Sequence, residues 1–115
     1  MVENRRSRRK RVPQAIQVTN SLTGETVGQV GNLSVDGMLL ITSRRLPENA
    51  LFQFNFELSG PGSTSRHLEI GVHEQWGEPA SIPGQFWSGF RIIDIAPEDR
   101  TVLAAWVEKR DDEGL

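Results

Sequence analysis

The chain has 115 residues, no cysteine and a formal net charge of −2. This length suits one domain and is too short for two well-packed ones, and the lack of thiols excludes disulfides, thiolate zinc sites and cysteine nucleophiles. No segment resembles a signal peptide and no apolar run is long enough to span a membrane. We therefore expect a cytoplasmic protein without membrane insertion.

The charges are unevenly distributed along the chain. Residues 5–11 contain six cations in seven positions, whereas residues 12–115 contain 7 basic and 14 acidic residues. Because the first eleven residues lack apolar periodicity, we expect a flexible arginine-rich arm over 1–11 and a single domain over 12–115. Such a cluster is typical of proteins that bind a phosphate-bearing partner, and the alternative is a disordered, solubilising tail.

Six segments with strand character follow the arm. In the clearest one, Phe52, Phe54 and Phe56 alternate with polar residues, and all three are predicted to belong to the core. Gly28 and Gly31 indicate a bulge or a close approach of another backbone. Turn-forming residues separate the segments. The predicted strands cover residues 15–18, 26–33, 38–42, 52–58, 68–76 and 86–95.

Helical spacing is confined to the C-terminal part of the chain. Pro97 suits a first helical turn, and an apolar stripe includes Leu103, Trp106 and Val107. These features predict a helix over about 97–110. The expected fold is all-β dominated: a six-stranded antiparallel β-barrel with one C-terminal α-helix that covers an end of the barrel.

Signatures of catalysis and of metal binding are missing from the sequence. Ser34 lacks the preceding glycine that a nucleophile elbow uses. His67 and His73 share a strand face but lie roughly 20 Å apart at about 3.3 Å per residue, too far to share a metal ion. The sequence thus indicates a binding module rather than an enzyme, with no metal and no cofactor.

The loop that follows the second predicted strand has the chemistry of a ligand site. Asn32 offers an amide and Ser34 a hydroxyl to a base edge, while Gly37 permits a positive φ or a close ligand approach. An arginine fork suits both phosphate and the O6/N7 edge of guanine. The alternative is a plain hairpin turn with Asp36 and Gly37 as its type I′ pair.

These residues carry a resemblance to the PilZ domain family, which is marked by an Arg-x-x-x-Arg motif and an Asp/Asn-x-Ser-x-x-Gly motif. Asn32, Ser34 and Gly37 match the second motif in full. The segment 88–95 resembles the family's last strand, and Trp76 stands where many members carry a tryptophan. The resemblance implies a six-stranded barrel with a C-terminal helix and a cytoplasmic bacterial receptor for cyclic di-GMP. In such domains the motif arginines bind guanine and phosphate, and the Asp/Asn and Ser contact a guanine.

The register of the arginine motif is open. Arg5 and Arg9 satisfy the spacing literally. Arg11 is the last arginine before the first predicted strand, but the residue four positions before it is Ser7, and Arg6 lies one position further back. We expect Arg5 and Arg9 to form the pair, supported by Arg6 and Arg11.

Different roles are expected for the three tryptophans. Trp76 either stacks on the ligand or packs at the barrel rim. Trp87 and Trp106 are predicted to be structural.

The resulting hypothesis is a cyclic di-GMP receptor whose arm changes conformation on binding and so signals to an unknown protein effector. One alternative is a PilZ-like interaction module of type IV pili or motility that binds no nucleotide. Another is a small-barrel nucleic-acid binder, which is disfavoured because the phenylalanines alternate into a core and the domain is acidic.

Overall fold

The computed structural model describes residues 10–11, 15–59 and 65–113, with side chains for 15–59 and 65–108. Each predicted strand forms, within a few residues of its expected bounds. The strands are β1 (Lys10–Arg11), β2 (Gln17–Asn20), β3 (Thr26–Leu33), β4 (Gly37–Thr42), β5 (Leu51–Ser59), β6 (Ser65–Pro79) and β7 (Phe86–Ile95), and the helix is α1 (Pro97–Glu113).

The strands close into a barrel by antiparallel pairing. The sheet order is β1-β3-β2-β5-β6-β7-β4, and β4 returns to pair with β3. Strands β2 to β7 therefore form a six-membered ring, which confirms the predicted fold. β1 is an addition that was not predicted: its two residues, which we had placed in the arm, pair with the end of β3.

The core lies inside this ring and follows the period-2 alternation of the strands. Phe54 and Phe56 are almost fully buried, whereas Phe52 is half-buried and packs against the core cluster. Phe54 meets Phe52 with ring centroids 5.3 Å apart and Phe90 of β7 at 5.2 Å. Such aromatic contacts stabilise the core beyond simple area burial.

Helix α1 lies against β1 and β6. It begins at Pro97 as predicted, carries Glu98 and Asp99 in its first turn, and continues to Glu113, beyond the expected end near 110. Leu103, Trp106 and Val107 are buried in the core cluster, which explains the apolar stripe. Within the described ranges, no helix is both long and apolar enough to cross a membrane.

Four β-bulges interrupt the described ladders, and one of them lies in β3 opposite the Val18–Thr19 step of β2. In β3, Val30 pairs with Leu40 and Asn32 pairs with Leu39, so Gly31 is the extra residue. Corresponding irregularities occur in β6 between Glu74 and Trp76 and in β7 opposite the Gly71–Val72 step. The expectation of a bulge at Gly31 is confirmed. Bulges re-aim side chains and increase local twist, and two of these four adjoin candidate site residues.

Candidate ligand-binding site

Five residues on five strands stand directly opposite one another across the sheet. Arg11 pairs with Asn32, Asn32 with Leu39, Leu39 with Gly89, and Gly89 with Trp76. We call this set the transverse row. Residues directly opposite in an antiparallel ladder project to the same face. The fold thus brings Asn32 and Trp76, 44 positions apart in the sequence, onto one face and places the backbone of Arg11 at its end.

That face is the outside of the barrel. Met38 and Leu40, which flank Leu39 on β4, are buried in the core, and successive strand residues point in opposite directions. Trp76 is 45% exposed, and Asn32 and Leu39 are half-buried. A ligand approaching the row from solvent would therefore meet an amide and an aromatic side chain without entering the barrel.

Ser34 shapes the loop between β3 and β4. The side chain is fully buried, and its Oγ accepts hydrogen bonds from the backbone N–H groups of Asp36 and Gly37, each at 3.2 Å. The Ser34 N–H also donates to the Gly37 carbonyl at 2.9 Å. In this conformation the Ser34 hydroxyl is hydrogen-bonded to the loop backbone and does not reach the solvent-facing surface.

Gly37 lacks the positive φ that was one of the two expectations for it, and it has a further role in the fold that was not predicted. Its φ is not positive, and among the described residues only Asn49, Gly24 and Gly84 have positive φ. Because a type I′ turn needs positive φ at both central residues, the predicted type I′ pair at Asp36 and Gly37 is wrong, although β3 and β4 do form an antiparallel hairpin. Glycine is required here because a Cβ would collide with the backbone carbonyl of Phe90, so the close approach is to β7.

Trp76 owes its orientation to the bulge in β6. Gln75 is the extra residue, which leaves Glu74 buried inside and turns Trp76 outward opposite Gly89. The indole lies directly on Gly89, where any Cβ would collide with it. Trp76 is therefore a rim residue that packs on its neighbour and still presents part of its ring to solvent.

Two further residues on β7 share this face and were not predicted as site residues. Trp87 is half-buried, and its Cζ3 lies 2.9 Å from the position of a Cβ built on Gly31. Arg91 is exposed and stands opposite Gly37. Because Trp87 and Arg91 each lie two positions from Gly89, strand alternation predicts that both point to the outer face. Their proximity to β3 and β4 depends on the order of the strands in the sheet, which cannot be derived from the sequence.

The arm residues Arg5, Arg6 and Arg9 lie outside the described residues. Of the predicted cations, Arg11 alone belongs to a described segment, and its backbone adjoins Asn32 through β1. β1 was not predicted because two cationic residues carry no strand periodicity. Its formation depends on the neighbouring β3 edge.

The two histidines lie apart from the transverse row and pair with other side chains. His67 Nδ1 and the Glu57 carboxylate are 3.0 Å apart, and hydrogen bonds from His67 and Ser65 lower the pKa of Glu57. His73 Nε2 lies 2.6 Å from the Asn49 side-chain oxygen. Among residues with described positions, no group of three or more potential ligands could hold a metal ion.

Comparison with known proteins supports the same family as the motifs. Solved structures with this fold include the inhibitor of motility MotI/DgrA of Bacillus subtilis (TM-score 0.80, 12% identity, covering 97% of this chain and 53% of that chain). They also include YcgR of Escherichia coli in complex with c-di-GMP (TM-score 0.76, 18% identity, 98% and 48%). The chain therefore spans about half the length of these two proteins.

A third structure is matched over nearly its whole length. It is the PilZ domain of Escherichia coli YcgR with c-di-GMP, with a TM-score of 0.62, 17% identity and coverage of 97% of this chain and 95% of that chain. No curated protein sequence matches the chain. The PilZ domain family model matches residues 3–109. With the motif residues and the six-stranded barrel, that match shows that this chain belongs to the PilZ domain family.

Proposed function

We propose that this protein is a cyclic di-GMP receptor and not an enzyme, with its binding site on the transverse row and the loop that follows β3. The observation that carries the proposal is the alignment of Asn32 and Trp76 on one outer face, with the backbone of Arg11 paired to Asn32 at the end of the row. Two of the structural neighbours contain c-di-GMP. Family membership agrees with this ligand.

The chemistry of the row suits a ligand that carries both guanine and phosphate. The Asn32 amide has both a donor and an acceptor for a base edge. The exposed part of Trp76 offers a flat apolar surface to a base, and base–aromatic stacking contributes about 1–3 kcal/mol per base. Asn32 and Trp76 are thus proposed as base contacts. Ser34 and Gly37 are proposed to hold the loop in the conformation that presents Asn32.

The arm is proposed to supply the phosphate contacts. In the bound state, residues 5–9 would continue from β1 as an extended chain across the row. Side chains in an extended chain alternate, so Arg5, Arg9 and Arg11 would share one face and Arg6 would take the other. This parity favours the pair Arg5 and Arg9, with Arg11 anchored beside Asn32. Each guanidinium fork can then bind a phosphate or a guanine edge bidentately.

Signalling is proposed to pass through the contact between β1 and α1. A change in the arm on binding would move the four cations that precede β1 relative to an otherwise acidic domain, and α1 lies directly against the strand from which the arm extends. A ligand shifts such an equilibrium by its differential affinity for the two states. A cytoplasmic effector protein that reads the arm and α1 would then distinguish free from bound receptor.

Calorimetric titration with cyclic di-GMP tests the proposal directly. We expect saturable binding to the wild-type chain and a loss of about tenfold or more in the double variant Arg9→Ala/Asn32→Ala. The exposed Arg66, at the start of β6, supplies a matched control, because Arg66→Ala removes a cation outside the row. Wild-type binding weaker than tens of micromolar, or equal loss in all variants, would refute the proposal.

A further inference from the structure

Trp87 stands on the outer face of the barrel beside the transverse row. It precedes Gly89 by two residues on β7, so both residues project to the same side. Its opposite neighbours are Ile41 on β4 and Glu78 on β6. Although Trp87 points outward, its side chain is half-buried. The indole must therefore lie along the barrel wall rather than extend into solvent.

Trp87 covers the part of the barrel wall that lies next to Asn32. Its Cζ3 and Cη2 lie 2.9 Å and 3.6 Å from a Cβ position built on Gly31. Gly31 is on β3, two strands away from β7, so the indole crosses β4 and ends over the bulge. The bulge glycine provides the space for the ring. The next residue in the chain is Asn32, the proposed base-reading residue.

We infer that Trp87 is a ligand-contacting residue that forms an aromatic wall beside Asn32. This inference rests on the proposed cyclic di-GMP site and extends it from one aromatic contact to two. A purine base whose edge is hydrogen-bonded to the Asn32 amide lies against the indole, which excludes water from those hydrogen bonds. Purines present a large π-face, so the wall favours a purine over a pyrimidine at this position.

A structural role and a ligand-contacting role predict different results. If Trp87 only covers Gly31 and β4, its truncation lowers stability and leaves ligand affinity unchanged. If it contacts the base, Trp87→Leu weakens cyclic di-GMP binding by about 5-fold to 100-fold, and Trp87→Phe restores part of the affinity because it keeps an aromatic face. The control variant Leu22→Ala truncates an 83% exposed apolar side chain at the β2–β3 turn and leaves affinity unchanged.

Tryptophan fluorescence provides a readout that a structural role would not alter. In a Trp76→Phe variant, the remaining tryptophans are Trp87 and the buried Trp106. We expect cyclic di-GMP to change the fluorescence of this variant, and the change to disappear when Trp87→Phe is added. An identical ligand-induced change in the single and double variants overturns the inference, as does unchanged affinity in Trp87→Leu.

The same titrations separate this inference from the proposed function. Absence of cyclic di-GMP binding by the wild-type chain overturns both. Tight wild-type binding that survives Trp87→Leu but is lost in Arg9→Ala/Asn32→Ala overturns the aromatic wall alone and leaves the receptor intact.

Discussion

Replacement of Ser34 by alanine tests whether this motif serine acts on the loop or on the ligand. The Ser34 side chain is fully buried, and its Oγ accepts two backbone N–H groups at 3.2 Å. Alanine removes both acceptor contacts and leaves the N–H of Gly37, itself buried, without this partner. A buried polar group that loses its partner costs about 1–3 kcal/mol. We therefore expect Ser34→Ala to lower the free energy of unfolding by about 2 kcal/mol in the absence of ligand.

Thermal unfolding of the ligand-free protein measures this loss. For a domain of this size, about 2 kcal/mol corresponds to a fall in Tm of roughly 8 °C. The matched control is Ser81→Ala in the β6–β7 turn, where the serine is exposed, and its Tm should stay within about 2 °C of wild type. An unchanged Tm for Ser34→Ala together with a large loss of affinity would show that the hydroxyl acts on the ligand, and would refute its role in the loop.

Four further substitutions at three positions test the packing of the barrel wall and of the interior behind it. Gly37→Ala places a Cβ against the fixed Phe90 carbonyl, so chemical denaturation should show a loss of about 3 kcal/mol, and wild-type stability would contradict this contact. In Gly89→Ala the atoms nearest to the new Cβ all belong to the partly exposed indole of Trp76, which can move. We therefore expect a loss of about 1 kcal/mol but roughly tenfold weaker calorimetric affinity for cyclic di-GMP, and unchanged affinity argues against Trp76 as a base contact. Glu74 is 1% exposed, its Oε1 accepts the Asn49 N–H at 2.9 Å and its Oε2 has no partner. Glu74→Gln should therefore leave the free energy of unfolding unchanged or raise it by about 1 kcal/mol, as measured by chemical denaturation. Glu74→Ala should lower the free energy of unfolding by about 3 kcal/mol. A marked loss in the glutamine variant would show that the buried carboxylate stabilises the fold.

Local periodicity predicted most of the fold because each strand is half-buried and α1 has a single apolar stripe. The phenylalanines of β5 and the start of α1 at Pro97 follow directly from such patterns. β1 could not be predicted in this way, since its two residues form a strand only through the edge of β3. Strand length was also underestimated for β6, where the ladder with β5 and β7 extends to exposed polar residues.

The candidate site was predicted in part. The motif located Asn32, Ser34 and Gly37, but the sequence could not separate a residue that presents a side chain from one that holds the loop. That distinction depends on burial: Ser34 is enclosed while Asn32 is half-buried. Trp87 and Arg91 were missed because their relation to β3 and β4 requires the strand order of the closed barrel.

The bulges determine where the chain tolerates a change in length. At three of the four bulges two consecutive residues face outward, so Gly31, Gln75 and Ile93 are supernumerary to the alternation of their strands. Loss of one of these residues leaves the rest of its strand in phase with its neighbours. Loss of a single residue outside the bulges would exchange inside and outside for the remainder of the strand. We therefore expect the barrel to tolerate single-residue deletions at these three positions, although Gly31 and Gln75 adjoin the transverse row.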